Sequence, residues 1–178
     1  MANERIERQS EVTREGRKKE TEVKEILLSD KGIRDNFLVS RPSELPRQMR
    51  NTIREELKIP YNSQKEEIDA DICVIRKSDN KLVCVISVKK SFRERGGQTA
   101  YWATKIKQHQ KNFKYILATP DVDNELFEPQ NPTKKKKWRR ILPFECDAVF
   151  IYSFDGKVYK EDKFFVGKDY LIEFIKNL

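Results

Sequence analysis

The chain has one histidine, His109, in 178 residues. Centres built from several imidazoles are excluded, and a histidine-activated nucleophile is not expected. Cysteine is scarce as well. Cys73, Cys84 and Cys146 each sit in an apolar run, and no two have CxxC spacing. Buried, reduced thiols are expected rather than a disulfide frame or a zinc site. No apolar run approaches the ~18 residues of a membrane span, and the start is not signal-like. The expectation is a cytoplasmic chain without a membrane partner.

Charge, by contrast, is abundant. Charged and hydrophobic residues each make up 37% of the chain, and the formal net charge is +8. A basic surplus of this size is the footprint expected of a nucleic-acid partner. The length suits one domain, 1–178, with no internal repeat. Residues 1–28 form a charged N-terminal helix or arm, in which opposite charges often fall three or four apart. Its apolar stripe begins only at Val23, Ile26 and Leu27.

Ser29 to Gly32 breaks this helix. A second helix is predicted over about 44–58, with Leu45, Met49, Ile53 and Leu57 on one face and Pro60 ending it. Glu55 and Glu56 fall in its last turn, where acids oppose the helix dipole. Strands follow at 68–76 and 82–90 around a turn at Ser78–Lys81, apolar at nearly every position. Such runs are expected when both faces of a sheet are covered by helices. A helix over about 98–111 and a strand at 113–119 then imply a right-handed crossover and a parallel pair. Residues 121–140 read as a loop with a basic run, Lys134 to Arg140, around Trp138. A strand at 145–153, a turn at Asp155-Gly156, a short strand near 157–160 and a helix at 167–177 complete an α/β fold. Its mixed central sheet is flanked by helices.

Period two places Asp69 and Asp71 on one side of the first apolar strand and Ser87 and Lys89 on one side of the second. Phosphodiester hydrolysis needs a cation on the scissile phosphate, an activated water and stabilisation of developing charge. Mg²⁺ takes oxygen ligands, one or two of them carboxylates. Asp71 can supply a carboxylate, the Val88 main-chain carbonyl a second oxygen, and Lys89 can steer the water. A simple Asp71–Lys89 ion pair is the plain alternative, and Asp69 can take the place of Asp71 as ligand.

Asp71, a hairpin, then Ser87-Val88-Lys89 resembles the PD-(D/E)XK nuclease superfamily, the fold of most type II restriction endonucleases. The run from Ser87 to Arg95 resembles an S-x-K-x-S-x-R-E-R pattern of some restriction enzymes. Gln98 and Trp102 are spaced like a Gln-x-x-x-Tyr helix motif of related nucleases. The resemblance covers roughly residues 50–120. It implies Mg²⁺-dependent cleavage of double-stranded DNA by a homodimer; a monomer or a subunit of a larger enzyme stays open. Ala70 replaces the usual proline. Ser87 stands where the second acid belongs, so Glu55, Glu56 or Glu94 is expected to supply it. Arg93, Arg95 and Gln98 would hold phosphate or bases, unless the arginines are solvated surface charges. Lys135, Lys136, Lys137, Trp138, Arg139 and Arg140 form either a backbone-binding loop or a solvated one. The rival readings are a Holliday-junction or repair nuclease of the same fold and an inactive DNA-binding protein.

Overall fold

The computed structural model describes residues 2–92 and 95–178; of residues 2–10 and 12 it describes the backbone alone. Arg93 and Glu94 therefore lie outside the described residues. Nine strands and six α-helices are assigned among the described residues. Helix α1 (Ala2–Ser29) is followed by α2 (Lys31–Asn36), whose first turn is capped by the Asp30 side chain accepting the Ile33 N–H. Strand β1 (Phe37–Ser40), helix α3 (Arg47–Glu56) and a hairpin of β2 (Lys58–Tyr61) and β3 (Gln64–Glu67) lead into β4 (Ile72–Arg76) and β5 (Lys81–Val88). Then come α4 (Gly96–Gln108), β6 (Lys114–Thr119), α5 (Lys137–Glu145), β7 (Ala148–Ile151), β8 (Tyr159–Glu161), β9 (Phe164–Val166) and α6 (Lys168–Lys176).

Seven strands form one mixed sheet in the order β1-β4-β5-β6-β7-β9-β8. The β1–β4, β4–β5 and β8–β9 pairs are antiparallel, and β5–β6, β6–β7 and β7–β9 are parallel. Period two sorts the central strands between two cores. Cys73, Ile75, Val85, Tyr115 and Leu117 face α3, α4 and α5. Ile72, Val74, Cys84, Ile86 and Ile116 face α1, α2 and α6. This double burial is why β4 and β5 read as continuous apolar runs. The three cysteines are free and buried, as expected.

Several expected boundaries change. The 121–140 loop ends earlier, because α5 begins at Lys137 and carries Pro143 within it. Leu142 of α5 is fully buried. The turn at Asp155-Gly156 does not join paired neighbours, since β9 inserts between β7 and β8. Gly156 is left-handed at φ 69°, and the turn that joins the paired strands β8 and β9 is left-handed at Asp162, with φ 42°. Strand β1 and the β2–β3 hairpin were not expected. Helix α4 starts at Gly96, not Gln98, and the glycine permits a close approach there. A Cβ on Gly96 would stand 2.4 Å from the Trp138 indole of α5.

The far side of β5 is held by the loop after β6. Ala118 C=O accepts the Lys89 N–H at 3.2 Å, and Lys90 C=O accepts the Val122 N–H at 3.3 Å. Asp123 accepts the Phe92 N–H. The loop itself is tied by Asp121, which is 4% exposed and accepts the N–H groups of Glu125, Leu126 and Phe127. One carboxylate thus satisfies three donors and fixes the segment leaving β5.

The Gly96–Trp138 contact can be measured. Gly96→Ala is expected to destabilise the protein by about 1–3 kcal/mol through overpacking. In a Trp138→Ala background the same change is expected to be neutral or stabilising, because alanine favours a helix over glycine. Thermal melts of the four proteins check this; an equal penalty in both backgrounds contradicts it.

Candidate active site

The register of β4 and β5 builds the site. Ile72 pairs with Ile86 and Cys73 with Val85. Continued past the strand end, this register sets Asp71 beside Ser87 and Asp69 beside Lys89, all on the α4 face of the sheet. Lys89 is 4% exposed. Its Nζ donates to Asp71 Oδ2 at 2.9 Å and to Asp69 Oδ2 at 3.1 Å. Asp71 Oδ2 also accepts the Val88 N–H at 2.6 Å. The sequence expectation for Asp71, Ser87, Val88 and Lys89 is therefore a real cluster in space, with Asp69 joining it.

Its electrostatics follow from one cation serving two anions. Burial holds the Asp71 carboxyl above the usual carboxylate range, and the neighbouring Asp69 adds to this while Lys89 opposes it. Burial works against the Lys89 ammonium, but Asp71 and Asp69 outweigh it and hold Lys89 above its ordinary value. Lys89 is thus firmly cationic at neutral pH. Ser87 is fully buried and brings no charge.

An open cleft lies in front of the two aspartates. Arg17, Glu20, Arg41, Glu67, Gln98 and Trp102 line it. Gln98 is exposed on the first turns of α4, and Arg95, just before that helix, is also exposed. Sequence reasoning did not single out Glu20, Arg41 or Glu67. They come from three separate segments and only the fold brings them together. Each acid here has an arginine: Glu20 pairs with Arg41, and Glu67 accepts Arg54 Nε and Nη2 at 3.1 and 3.0 Å.

Two expectations need correction. Glu55 is exposed and paired with Lys58 and Lys65. Glu56 lines a different cleft with Lys81, Leu82 and Lys111, beside the start of β5. Lys89 follows the end of that eight-residue strand, which spans roughly 25 Å. Neither glutamate lines the cleft of Asp71, because α3 ends near the start of β5 and Lys89 follows its other end. Glu94, the third candidate, lies outside the described residues, as does Arg93.

The basic run is also not a free loop. Arg139 is 3% exposed. Its guanidinium donates to Glu161 at 3.0 Å and lies 4.5 Å from the centre of the Phe164 ring. It is committed to the core and is withdrawn from the DNA-binding set. Trp138 packs on Gly96 rather than projecting as a wedge. Lys135 pairs with Glu161, and Lys136 donates to the Asn124 carbonyl at 2.6 Å. Lys137, stacked 4.9 Å from the centre of the Trp138 ring, and Arg140 remain exposed.

Among the described residues, no three His, Cys, Asp or Glu side chains converge as a metal cage. Two carboxylates and main-chain oxygen are nonetheless a donor set that suits a hard divalent cation keeping several waters. Among the described residues, no helix is long and apolar enough to cross a membrane.

Known proteins share this architecture. The family described as BsaWI restriction endonuclease type 2 matches residues 48–173. A chain from Methanocaldococcus jannaschii, named as type II restriction enzyme MjaVIP, is 35% identical over 161 residues, covering 85% of this chain and 70% of that one. One from Helicobacter pylori, named as type II restriction enzyme HpyAORF263P, is 29% identical over 133 residues, covering 71% and 68%. The crystal structure of pre-specific restriction endonuclease BsaWI in complex with DNA superposes with a TM-score of 0.60 at 10% identity, over 99% of this chain and 66% of that chain. That likeness speaks for the fold. The length of the family match and the level of identity settle kinship: the chain belongs to the BsaWI family of type 2 restriction endonucleases, whose members are endodeoxyribonucleases.

Proposed function

We propose that the protein is a Mg²⁺-dependent, site-specific endonuclease that hydrolyses both strands of double-stranded DNA as a homodimer. The observation that carries this reading is the buried Lys89 ammonium shared by Asp71 and Asp69 at the cleft. The solved DNA complex of a restriction endonuclease with the same fold and the net charge of +8 support the substrate class. Cutting two antiparallel strands symmetrically calls for two sites, hence a two-fold dimer.

The roles follow from position. Asp71 and the Val88 main-chain carbonyl would hold the magnesium. Bound there, the ion would polarise the scissile phosphate and lower the pKa of a bound water. Lys89 brings a hydrogen-bond donor and a positive charge to the cleft. It orients the attacking water and offsets negative charge developing on the phosphate. Gln98 and Arg95, exposed at the start of α4, contact the DNA beside the scissile bond. Lys137 and Arg140 extend the basic surface toward the backbone. Metal-dependent hydrolysis by this cluster requires no histidine.

Two measurements check this reading. Plasmid DNA with Mg²⁺ is expected to yield discrete fragments. Lys89→Ala is expected to slow cleavage by about 10²–10³-fold while keeping DNA binding; cleavage at the wild-type rate contradicts the site. Discrete fragments also separate restriction from a junction-specific nuclease, which would leave plain plasmid intact. In binding assays over a range of salt, Arg140→Ala is expected to reduce the salt slope by about 1. Arg139→Ala is expected to leave that slope unchanged and instead lower the melting temperature, since it strips the buried partner of Glu161.

A further inference from the structure

We infer that Asp69 is the second metal carboxylate, doing the work of the acid that Ser87 does not provide. The inference rests on the proposed metal role of Asp71 and goes beyond it by naming its partner.

Three acids reach the cleft besides Asp71: Glu20, Glu67 and Asp69. Charge accounting separates them. Glu20 is paired with the Arg41 guanidinium, and both side chains are under a fifth exposed. Glu67 takes two hydrogen bonds from Arg54. Each of these carboxylates already has a full positive charge beside it. Moving either to a metal breaks an ion pair that the fold already makes. Asp69 has no cation of its own, because it shares Lys89 with Asp71. Two anions on one ammonium leave the cluster with one net negative charge. Its Lys is buried, so water screens that charge poorly. A divalent cation is the species that such a site attracts, whereas each glutamate is already matched by an arginine.

Atom use points the same way. Asp69 and Asp71 both bond Lys89 through Oδ2. Among the described residues, neither Oδ1 carries a hydrogen bond. Each aspartate therefore has an oxygen to give to a metal without releasing Lys89. Both Oδ2 atoms touch one Nζ, so the two carboxylates are neighbours at the cleft. The β4–β5 register places them on the same face. The sequence thus moves the second carboxylate from the strand carrying Lys89 to the segment carrying Asp71, two residues before it. A strand-borne acid at position 87 and an aspartate at position 69 are near neighbours across the ladder, so the exchange keeps the anion on the same face of the sheet.

Metal binding by the intact protein, without DNA, tests this. Mn²⁺ is titrated by calorimetry, and Tb³⁺ by luminescence sensitised through Trp102, which lines the same cleft. Asp71→Asn and Asp69→Asn are each expected to weaken Mn²⁺ binding about ten-fold or more, and to dim the Tb³⁺ signal. Glu20→Gln and Glu67→Gln are expected to change it less than about two-fold. Melting curves establish that each variant is folded, and Asp69→Ser is the second substitution at that position. Loss of binding in Asp71→Asn with wild-type binding in both Asp69 variants overturns the role of Asp69 alone. Loss in Glu20→Gln or Glu67→Gln with wild-type binding in the Asp69 variants reassigns the second carboxylate and also overturns it. Wild-type binding in Asp71→Asn and Asp69→Asn alike overturns the reading of the site beneath it.

Discussion

An ammonium that is 4% exposed, held between two carboxylates at the end of a central strand, sets the terms for this molecule. A lone buried charge costs several kcal/mol, and removing one partner of a buried pair costs about 3–5 kcal/mol. Lys89 therefore needs Asp71 and Asp69 in place whenever the chain is folded. The aspartates in turn carry more negative charge than Lys89 offsets. The same arrangement leaves the cluster a net anion, which suits the divalent ion proposed for it. Folding and chemistry share one electrostatic arrangement.

The surrounding fold serves that arrangement. Pairing Ile72 with Ile86 sets which residues meet beyond the strand ends. A slip of one residue would turn Lys89 to the other face. Both faces of the sheet are covered, and Lys89 is almost fully buried. The Asp121 loop grips Lys90 and Phe92 and fixes the exit of β5. Trp138 against Gly96 fixes the start of α4, where Arg95 and Gln98 stand. Arg139, which sequence placed on the DNA, anchors this corner from inside instead through Glu161 and Phe164.

The hairpin, the crossover helix and the parallel β5–β6 pair were legible because they rest on local signals. Apolar runs, a turn and a helix between strands suffice to place them. Asp71 and Lys89 were legible for the same reason, since period two decides their face. Helix α5 was hidden by Pro143 and by a lysine run that reads as loop. The insertion of β9 between β7 and β8 depends on edge pairing, which carries no local signal. Sequence offers Glu55, Glu56 and Glu94 for the second acid, and the dipole argument makes the first two conspicuous. Lysine partners explain Glu55, and Glu56 lies by the start of β5, away from Lys89. Which acid is free for a metal depends on where Arg41 and Arg54 lie, and those come from other segments.

The proposed metal site consists of Asp69 and Asp71 with Lys89 between them. Anomalous diffraction from a crystal of the protein soaked in Mn²⁺ locates the ion directly. A peak bridging the free carboxylate oxygens of Asp69 and Asp71 is the expected result. A peak on Asp71 with Glu20 or Glu67, and Asp69 still bound only to Lys89, would contradict it.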